Sequence, residues 1–293
     1  MEKMQRRMRV FLFLLMAAFM LAGCGWASAA AFDDAQEIGV VSREDGSGTR
    51  GAFIELFGIE VRNEDGTRKD MTTKEAVVAN QTNVMMTNIA GNKYGIGYIS
   101  LGSLNSTVKA VDIGGVKAGV ENVKNGTYPI SRPFIIATKG EPKGAAKDFI
   151  GFILSKEGQA VISKGYIAVD DNPPTYSGSK PSGKIVVGGS SSVTPVMELL
   201  KEAYIALNPG LTIEIQQSDS SAGLKDGING ICDIAMSSRE LRESELEQLI
   251  PIQIALDGIA VIVNNQNPLT NLTKEQVKAI FTGETTRWNA LSR

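Results

Sequence analysis

The sequence predicts an α/β protein with two domains. Its 293 residues are enough for two modest α/β domains. Short apolar runs rich in Val and Ile alternate with stretches of helical periodicity, which is the pattern of an α/β fold. A stretch dense in Pro, Ser and Gly at 170–183 interrupts both patterns and predicts an exposed, mobile connection between two parts of the chain.

Five runs are apolar or β-branched and short enough to be buried strands. They are residues 38–41, 185–187, 212–215, 233–236 and 254–263.

Three amphipathic stretches lie around these strands. The clearest begins at Thr194, the expected N-cap, and ends at Asn208-Pro209-Gly210. A second begins at Thr273, with the capping-box spacing Thr273 to Gln276. The third has an apolar face made by Phe149, Phe152, Ile153, Ala160 and Val161.

The N-terminal segment has the pattern of an export signal. Basic side chains precede an apolar run at 10–22 that is short for a bilayer span. The run ends in Leu21-Ala22-Gly23-Cys24, the pattern of a bacterial lipobox. We therefore expect a lipoprotein signal peptide at 1–23, lipidation of Cys24, a tether at 24–36 and an extracytoplasmic, membrane-anchored protein. The alternative is a plain export signal cut after Ala27-Ser28-Ala29, which gives a secreted or periplasmic protein.

Composition argues against several classes of function. The chain has no histidine, which removes the usual general base of hydrolases and the commonest metal ligand. Apart from Cys24 its one cysteine is Cys232, so the mature chain has no disulfide framework. The net charge of the chain is −2. Residues 1–23 carry +3, so the rest of the chain carries −5, and no basic surface for nucleic acid is expected. We expect a protein that is not an enzyme and needs no metal or cofactor.

Two segments rich in Ser and Gly mark candidate anion sites. Residues 43–50 and 188–195 each follow an apolar run and precede a helical pattern. The first amides of a helix have no partner within the helix and lie at the positive end of its dipole. Because the chain is acidic overall, any affinity for an anion has to come from such local donors.

Several motifs together resemble the phosphate-binding receptors of phosphate ABC transporters (PstS type), which are type II periplasmic binding proteins. The resemblance extends over residues 37–293. It is carried by residues 43–49 with Phe53, 94–100, 131–134, 189–195, 233–239, 257–261, 267–268 and 281–283 with Trp288.

The order of these motifs departs from the family pattern. Members of the family begin with the segment that resembles 184–293 and continue into the one that resembles 37–169. The resemblance therefore implies a circular permutation, with 170–183 joining the usual C-terminus to the usual N-terminus. A fragment assembled from two neighbouring paralogues is the alternative.

The resemblance also implies two lobes that close on a ligand in the cleft between them. One lobe is expected to combine 37–131 with 263–293, and the other to contain 132–262. We place the strands that cross between them near 129–137 and 254–263.

The resemblance implies a phosphate site made by both lobes. Its expected ligands are Arg43, Ser47, Gly48, Thr49, Ser191, Ser192, Ser220 and Ser238. Asp45 is expected to orient Arg43. Arg239 is a further candidate, either as an extra cation in the cleft or paired with Glu240 or Glu243. The implied function is capture of inorganic phosphate and its delivery to the permease subunits of an ABC importer, by a protein expected to be a monomer.

Ser238 leaves the choice of anion open. Some members of the family have aspartate there, which accepts a hydrogen bond from protonated phosphate and rejects sulfate. A serine hydroxyl can also donate, so it excludes sulfate or molybdate less strictly. Asp219 is the alternative acceptor. Two other classes of function are a rearranged protein that binds partners without transport, and a hydrolase using Ser47 or Ser191. Neither serine lies in a Gly-x-Ser-x-Gly motif.

Overall fold

The computed structural model describes residues 31–63 and 67–292. The expected signal peptide at 1–23, Cys24 and most of the tether lie outside these residues. Residues Asp34–Arg293 form one compact unit. Within the described ranges, no helix is both long and apolar enough to cross a bilayer.

The strands are β1 (Gly39–Arg43), β2 (Glu60–Arg62), β3 (Arg68–Asp70), β4 (Val77–Ala79), β5 (Gly95–Ser100), β6 (Lys109–Ala110), β7 (Asp112–Ile113), β8 (Ser131–Thr138), β9 (Ile167–Ala168), β10 (Gly183–Ser190), β11 (Leu211–Ser218), β12 (Ile234–Ser237), β13 (Ile250–Val263) and β14 (Asn271–Leu272). The α-helices are α1 (Gly48–Leu56), α2 (Thr82–Gly91), α3 (Val120–Lys124), α4 (Gly144–Ile153), α5 (Lys156–Ile162), α6 (Thr194–Leu207), α7 (Ser220–Asn229), α8 (Glu243–Leu246) and α9 (Lys274–Thr282). All five predicted strands and the three predicted helical regions are present, with shifted bounds.

One mixed sheet connects the two lobes. Its strand order is β11-β10-β12-β8-β13-β5-β1-β4, with β6 and β9 also paired to β13. The long strand β13 pairs antiparallel with β8 from Ile250 to Gly258 and with β5 from Ile259 to Val263. We call the part with β1, β4, β5, α1, α2 and α9 the β5 lobe, and the part with β8 to β12 and α4 to α7 the β10 lobe.

The core of the β5 lobe brings together distant parts of the sequence. The Phe53 ring of α1 stacks on Tyr98 of β5 with 3.8 Å between centroids, and Phe281 of α9 meets Phe53 edge-on at 4.7 Å. All three side chains are buried. Burial of such aromatic surface therefore fixes the C-terminal helix against the N-terminal segment.

The core of the β10 lobe is an apolar layer between helices and sheet. Phe149 and Phe152 of α4 lie 5.1 and 5.3 Å from the Tyr204 ring of α6. Val187 of β10 and Met236 of β12 are buried beneath them. This packing holds α6 on the sheet, so the turn that precedes α6 has a fixed position.

Two helix predictions need correction. Thr194 is the first residue of α6 rather than its N-cap, because a turn at 191–193 precedes the helix and the Thr194 hydroxyl donates to the Ser190 carbonyl. The predicted face through Phe149 and Ala160 is divided between α4 and α5. Ser155 separates them and caps α5 through the Gly158 amide at 3.3 Å, which leaves Ala160 exposed.

The connection at 170–182 has no helix or strand, as predicted, but it is fixed by hydrogen bonds. Tyr176 and Ser179 both donate to the carboxylate of Asp148 in α4, through the Tyr176 hydroxyl at 2.5 Å and the Ser179 amide at 2.6 Å. The Tyr204 hydroxyl donates to the same carboxylate at 2.6 Å. The segment therefore has a definite path over the β10 lobe.

The two ends of the compact unit meet on the β5 lobe. The Asn289 amide donates to the Asp34 carbonyl at 2.8 Å, and the Ile38 amide donates to the Thr286 carbonyl at 2.8 Å. Glu37 and Arg287 form an antiparallel bridge between these bonds.

Candidate functional site

Arg43 is the central cation of the candidate site. It lies at the end of β1, and its side chain is 1% exposed. Its Nε and Nη2 atoms donate to the two carboxylate oxygens of Glu44 at 2.8 and 2.7 Å. Nη2 also donates to the Ser191 hydroxyl at 3.0 Å, across the two lobes. The guanidinium is therefore held in one orientation by a carboxylate and faces the turn before α6.

Hydroxyl groups from both lobes meet beside Arg43. The Thr49 and Ser192 oxygens lie 2.7 Å apart, and the Thr82 and Ser191 oxygens lie 3.4 Å apart. All four side chains are buried. Because a hydroxyl can either donate or accept, this group can turn its protons toward an acceptor placed among them.

A second group of hydroxyls lies in the β10 lobe. Ser190 donates to the Ser238 hydroxyl at 2.9 Å, and the Ser238 amide donates to the Ser220 hydroxyl at 3.1 Å. Gly48 of the β5 lobe lies against them, since a Cβ built there would be 2.8 Å from Ser238 Oγ and closer still to Ser220 Oγ. The backbone of α1 therefore reaches the serines directly.

The N-termini of three helices meet at these serines. Ser47 caps α1 by accepting from the Arg50 amide at 3.3 Å, and Asp219 caps α7 by accepting from the Ala222 amide at 2.8 Å. The third helix, α6, follows the turn that contains Ser191 and Ser192. Each helix adds amides and the positive end of its dipole, so the potential at the site favours an anion.

Close packing in the β10 lobe sets the position of α7. A Cβ at Gly223 of α7 would lie 2.8 Å from the Gly188 carbonyl at the end of β10. Only a glycine allows this approach, which brings Ser220 to the end of the strand that carries Ser190.

A buried ion pair lies beside the hydroxyls. Arg132 of β8 and Asp257 of β13 are directly opposite each other in the sheet, and Arg132 Nη2 lies 3.1 Å from Asp257 Oδ2. Burial raises the pKa of Asp257 above its ordinary value, although Arg132 and Ser100 oppose the shift. Burial lowers the pKa of Arg132, and the nearby charge of Arg43 acts in the same direction. Arg43 and Arg132 thus lie in one region, each paired with a carboxylate.

Asp45 does not orient Arg43 as expected from the sequence. Its side chain is 97% exposed and pairs with Arg50 at 2.9 Å, whereas Glu44 takes the role beside Arg43. The chain turns sharply after β1, so Asp45 lies on the outer side of the turn.

Arg239 is paired rather than available as a cation in the cleft. Its guanidinium donates to both carboxylate oxygens of Glu245 at 2.8 Å and to the Ser221 hydroxyl at 3.1 Å. The partner carboxylate is neither Glu240 nor Glu243, the two considered from the sequence. Glu240 contributes only its carbonyl, at 2.8 Å.

Thus the structure brings together Arg43, Ser47, Gly48, Thr49, Ser191, Ser192, Ser220 and Ser238. Sequence reasoning did not assign Glu44, Thr82, Ser190, Arg132 or Asp257 to the site. Arg132 and Asp257 are charged residues within largely apolar strands. Because a charged side chain is rarely buried unless it is paired, this pattern could have indicated a buried ion pair.

A family model described as "PBP superfamily domain" matches residues 25–157 and 174–292. The chain belongs to the PBP superfamily. It is 52% identical over 282 residues to Phosphate-binding protein PstS 2 of Streptococcus agalactiae, which covers 95% of each chain. It is 43% identical over 279 residues to Phosphate-binding protein PstS 2 of Streptococcus pneumoniae, with 94% of this chain and 95% of the relative covered. These identities make the chain a member of the PstS-type family, as its sequence motifs implied.

A solved structure gives the same result. The phosphate-binding protein of a phosphate ABC transporter from Streptococcus pneumoniae TIGR4 superimposes with a TM-score of 0.69 at 43% identity. The match covers 87% of this chain and 99% of that one. The predicted two-lobed α/β periplasmic binding protein fold is thereby confirmed.

The order of the two segments is shared with one of these relatives. The alignment with the Streptococcus agalactiae relative runs through both segments in one order, so that relative has them arranged as this chain does. The circular permutation with respect to other members of the family stays a prediction.

Proposed function

We propose that this protein captures inorganic phosphate between its two lobes and delivers it to the permease subunits of an ABC importer. The observation that carries the proposal is the convergence of three helix N-termini, a buried arginine and a cluster of hydroxyls at one place. The eight residues Arg43, Ser47, Gly48, Thr49, Ser191, Ser192, Ser220 and Ser238 would supply the donors.

The chemistry of the cluster suits a tetrahedral oxyanion. An anion that leaves water loses many hydrogen bonds, and each charge-assisted bond that replaces one contributes about 1.5–3 kcal/mol. The cluster supplies hydroxyls and amides from several directions, together with the fixed guanidinium of Arg43. Since Glu44 balances the charge of Arg43, the hydrogen bonds rather than net charge would hold the ligand.

The relatives support phosphate as the ligand. Two proteins that match nearly the whole chain, at 52% and 43% identity, are named phosphate-binding proteins. The solved structure that superimposes on this one is described as a phosphate ABC transporter, phosphate-binding protein.

The rest of the assignment follows from this role. We propose lobes of 37–131 with 263–293 and of 132–262, since β13 runs from its pairing with β8 into its pairing with β5 and so crosses between the two. We also propose export directed by residues 1–23, a lipid anchor at Cys24 on the outer face of the membrane, a monomeric state and no catalytic activity.

The test is calorimetric titration of the purified protein with inorganic phosphate. We expect saturable binding of one phosphate per chain and its loss in Arg43→Ala. The matched control is Arg68→Ala, since Arg68 is half-exposed and pairs with Glu60, which is not part of the cluster. Tighter binding of sulfate or molybdate than of phosphate would overturn the choice of ligand. A folded wild-type protein that binds none of the three anions would overturn the proposal as a whole.

A further inference from the structure

The Arg132–Asp257 ion pair lies where the two lobes join. Asp257 is the last but one residue of β13 to pair with β8, and the following residues pair with β5. The side chains of Arg132 and Asp257 are 2% and 1% exposed. Removal of either partner would leave an uncompensated buried charge and would destabilise the folded protein.

Asp257 holds Arg132 in a single orientation. One carboxylate oxygen accepts from the Ser100 hydroxyl at 3.0 Å, and the other accepts from Arg132 Nε and Nη2 at 3.3 and 3.1 Å. The guanidinium carbon lies 5.3 Å from the centre of the Phe134 ring. These contacts leave Nη1 directed toward the end of β12.

The remaining nitrogen of Arg132 reaches the candidate anion site through the backbone. Nη1 donates to the Ser238 carbonyl at 3.2 Å. Pairing of β12 with β8 ends at Ser237, so the Ser238 carbonyl lies just beyond the strand ladder. On its other side the Ser238 amide donates to Ser220. Arg132 thus fixes one side of the residue whose hydroxyl contacts Ser190 and Ser220.

We propose that Arg132, oriented by Asp257, is a positioning residue for the anion site and acts through the carbonyl of Ser238. This inference rests on the proposed function, since the ligand whose binding it affects is phosphate. Arg132 presents the Ser238 hydroxyl at the angle that an oxyanion in the cluster requires, while the Ser238 amide is engaged by Ser220. It contacts the backbone of the site rather than the anion, because its nitrogens are already engaged by Asp257 and Ser238.

A double-mutant cycle tests whether Arg132 acts through Ser238. The two changes are Ser238→Ala and the charge-neutral pair Arg132→Gln with Asp257→Asn, which avoids leaving one charge buried alone. Each is expected to weaken phosphate binding ~10-fold, the equivalent of one charge-assisted hydrogen bond. The combined variant is also expected to bind phosphate ~10-fold more weakly than the wild type. Two independent effects would multiply to a ~100-fold loss of affinity.

The control is Tyr128→Phe. Tyr128 is buried, and its hydroxyl donates to the Ile259 carbonyl of β13 at 2.9 Å without touching the cluster. Tyr128→Phe should lower the unfolding temperature and leave the phosphate affinity of the wild type unchanged. Added to Ser238→Ala, it should cause no loss beyond that of Ser238→Ala alone. Each titration is made on protein shown to be folded by circular dichroism.

The outcomes separate the two proposals. If the wild type binds phosphate but the losses of the two changes multiply to ~100-fold in the combined variant, the positioning role alone is overturned. The same holds if the variant of Arg132 and Asp257 loses no affinity. A folded wild-type protein that binds no phosphate would overturn the proposed function and this inference together.

Discussion

Arg43 and Ser191 are joined by a 3.0 Å hydrogen bond across 148 residues of sequence and across the two lobes. Both side chains are buried, so the bond belongs to the interior of the protein. Arg43 is the last residue of β1, and Ser191 lies in the turn before α6. The candidate site is therefore complete only when both segments of the chain are in place.

Arg43→Lys should weaken phosphate binding by ~10-fold or more, because an ammonium cannot hold two carboxylate oxygens in a planar fork and also reach Ser191. Calorimetric titration measures the change. Arg68→Lys is the matched control at an exposed ion pair and should bind as the wild type does. Equal affinities for the two variants would show that the fork geometry of Arg43 is not needed.

Gly48→Ala should abolish or strongly weaken phosphate binding. The added Cβ would meet the hydroxyls of Ser220 and Ser238 and push the two lobes apart. Gly151→Ala is the control, since Gly151 lies in α4 with nothing within 4 Å of an added Cβ. It should bind phosphate normally and raise the stability by roughly 0.5–1 kcal/mol, because alanine is the better helix former. Normal binding by Gly48→Ala would contradict the close approach of α1 to the serines.

Ser238→Asp should increase the preference for phosphate over sulfate. A carboxylate only accepts, so it can pair with the proton of hydrogen phosphate but repels sulfate, which has none. The measurement is the ratio of the two dissociation constants at pH 7. Ser244→Asp adds the same charge at an exposed position of α8 and should leave the ratio unchanged. An unaltered ratio in Ser238→Asp would show that Ser238 does not contact the anion.

Asp148→Asn should lower the unfolding temperature at pH 7 by about 3 °C or more, since the carboxylate accepts charge-assisted hydrogen bonds. Burial alone would raise its pKa, but donors from Tyr176, Tyr204 and Ser179 hold the pKa below the ordinary value of 3.8. Because its pKa is lowered in the folded state, the ionised carboxylate stabilises the protein at pH values above the ordinary pKa. This stabilisation is lost as the pH falls through the folded-state pKa.

The difference between the wild type and Asp148→Asn should therefore shrink in the pH range below 3.8, as the pH falls through the lowered folded-state pKa. Thermal unfolding followed by circular dichroism over this range measures it. Asp171→Asn changes an exposed carboxylate of the same connecting segment and should have no effect. A difference that stays constant with pH would show that the charge of Asp148 does not fix the segment.

The elements of the fold could be predicted where local patterns are strong. Thr273 and Gln276 form the expected capping box, and the apolar stripe of α9 is buried, because both features depend on neighbours three and four residues apart. Thr194 was assigned wrongly because the turn at 191–193 forms through Ser190, whose position is set by β10 and α7 rather than by local sequence.

The site could be predicted in its donors but not in its supporting contacts. Ser and Gly before a helix are visible in the sequence, whereas the pairing of Arg43 with Glu44 instead of Asp45 depends on how the chain turns after β1. Arg132 and Asp257 are 125 residues apart, and only the register of β8 against β13 brings them together. The connecting segment was predicted to be mobile because its composition gives no sign of the carboxylate of Asp148 that binds it.

The meeting of residues 34–38 with residues 286–289 makes the compact unit nearly a closed ring. A ring has no intrinsic beginning, so its order of reading is set by where it is opened. Joining the two ends with a short peptide and opening the chain within 170–182 would reverse the order of the segments without moving a strand. The same site could then be encoded in either order, since both openings lie away from Arg43 and the serines.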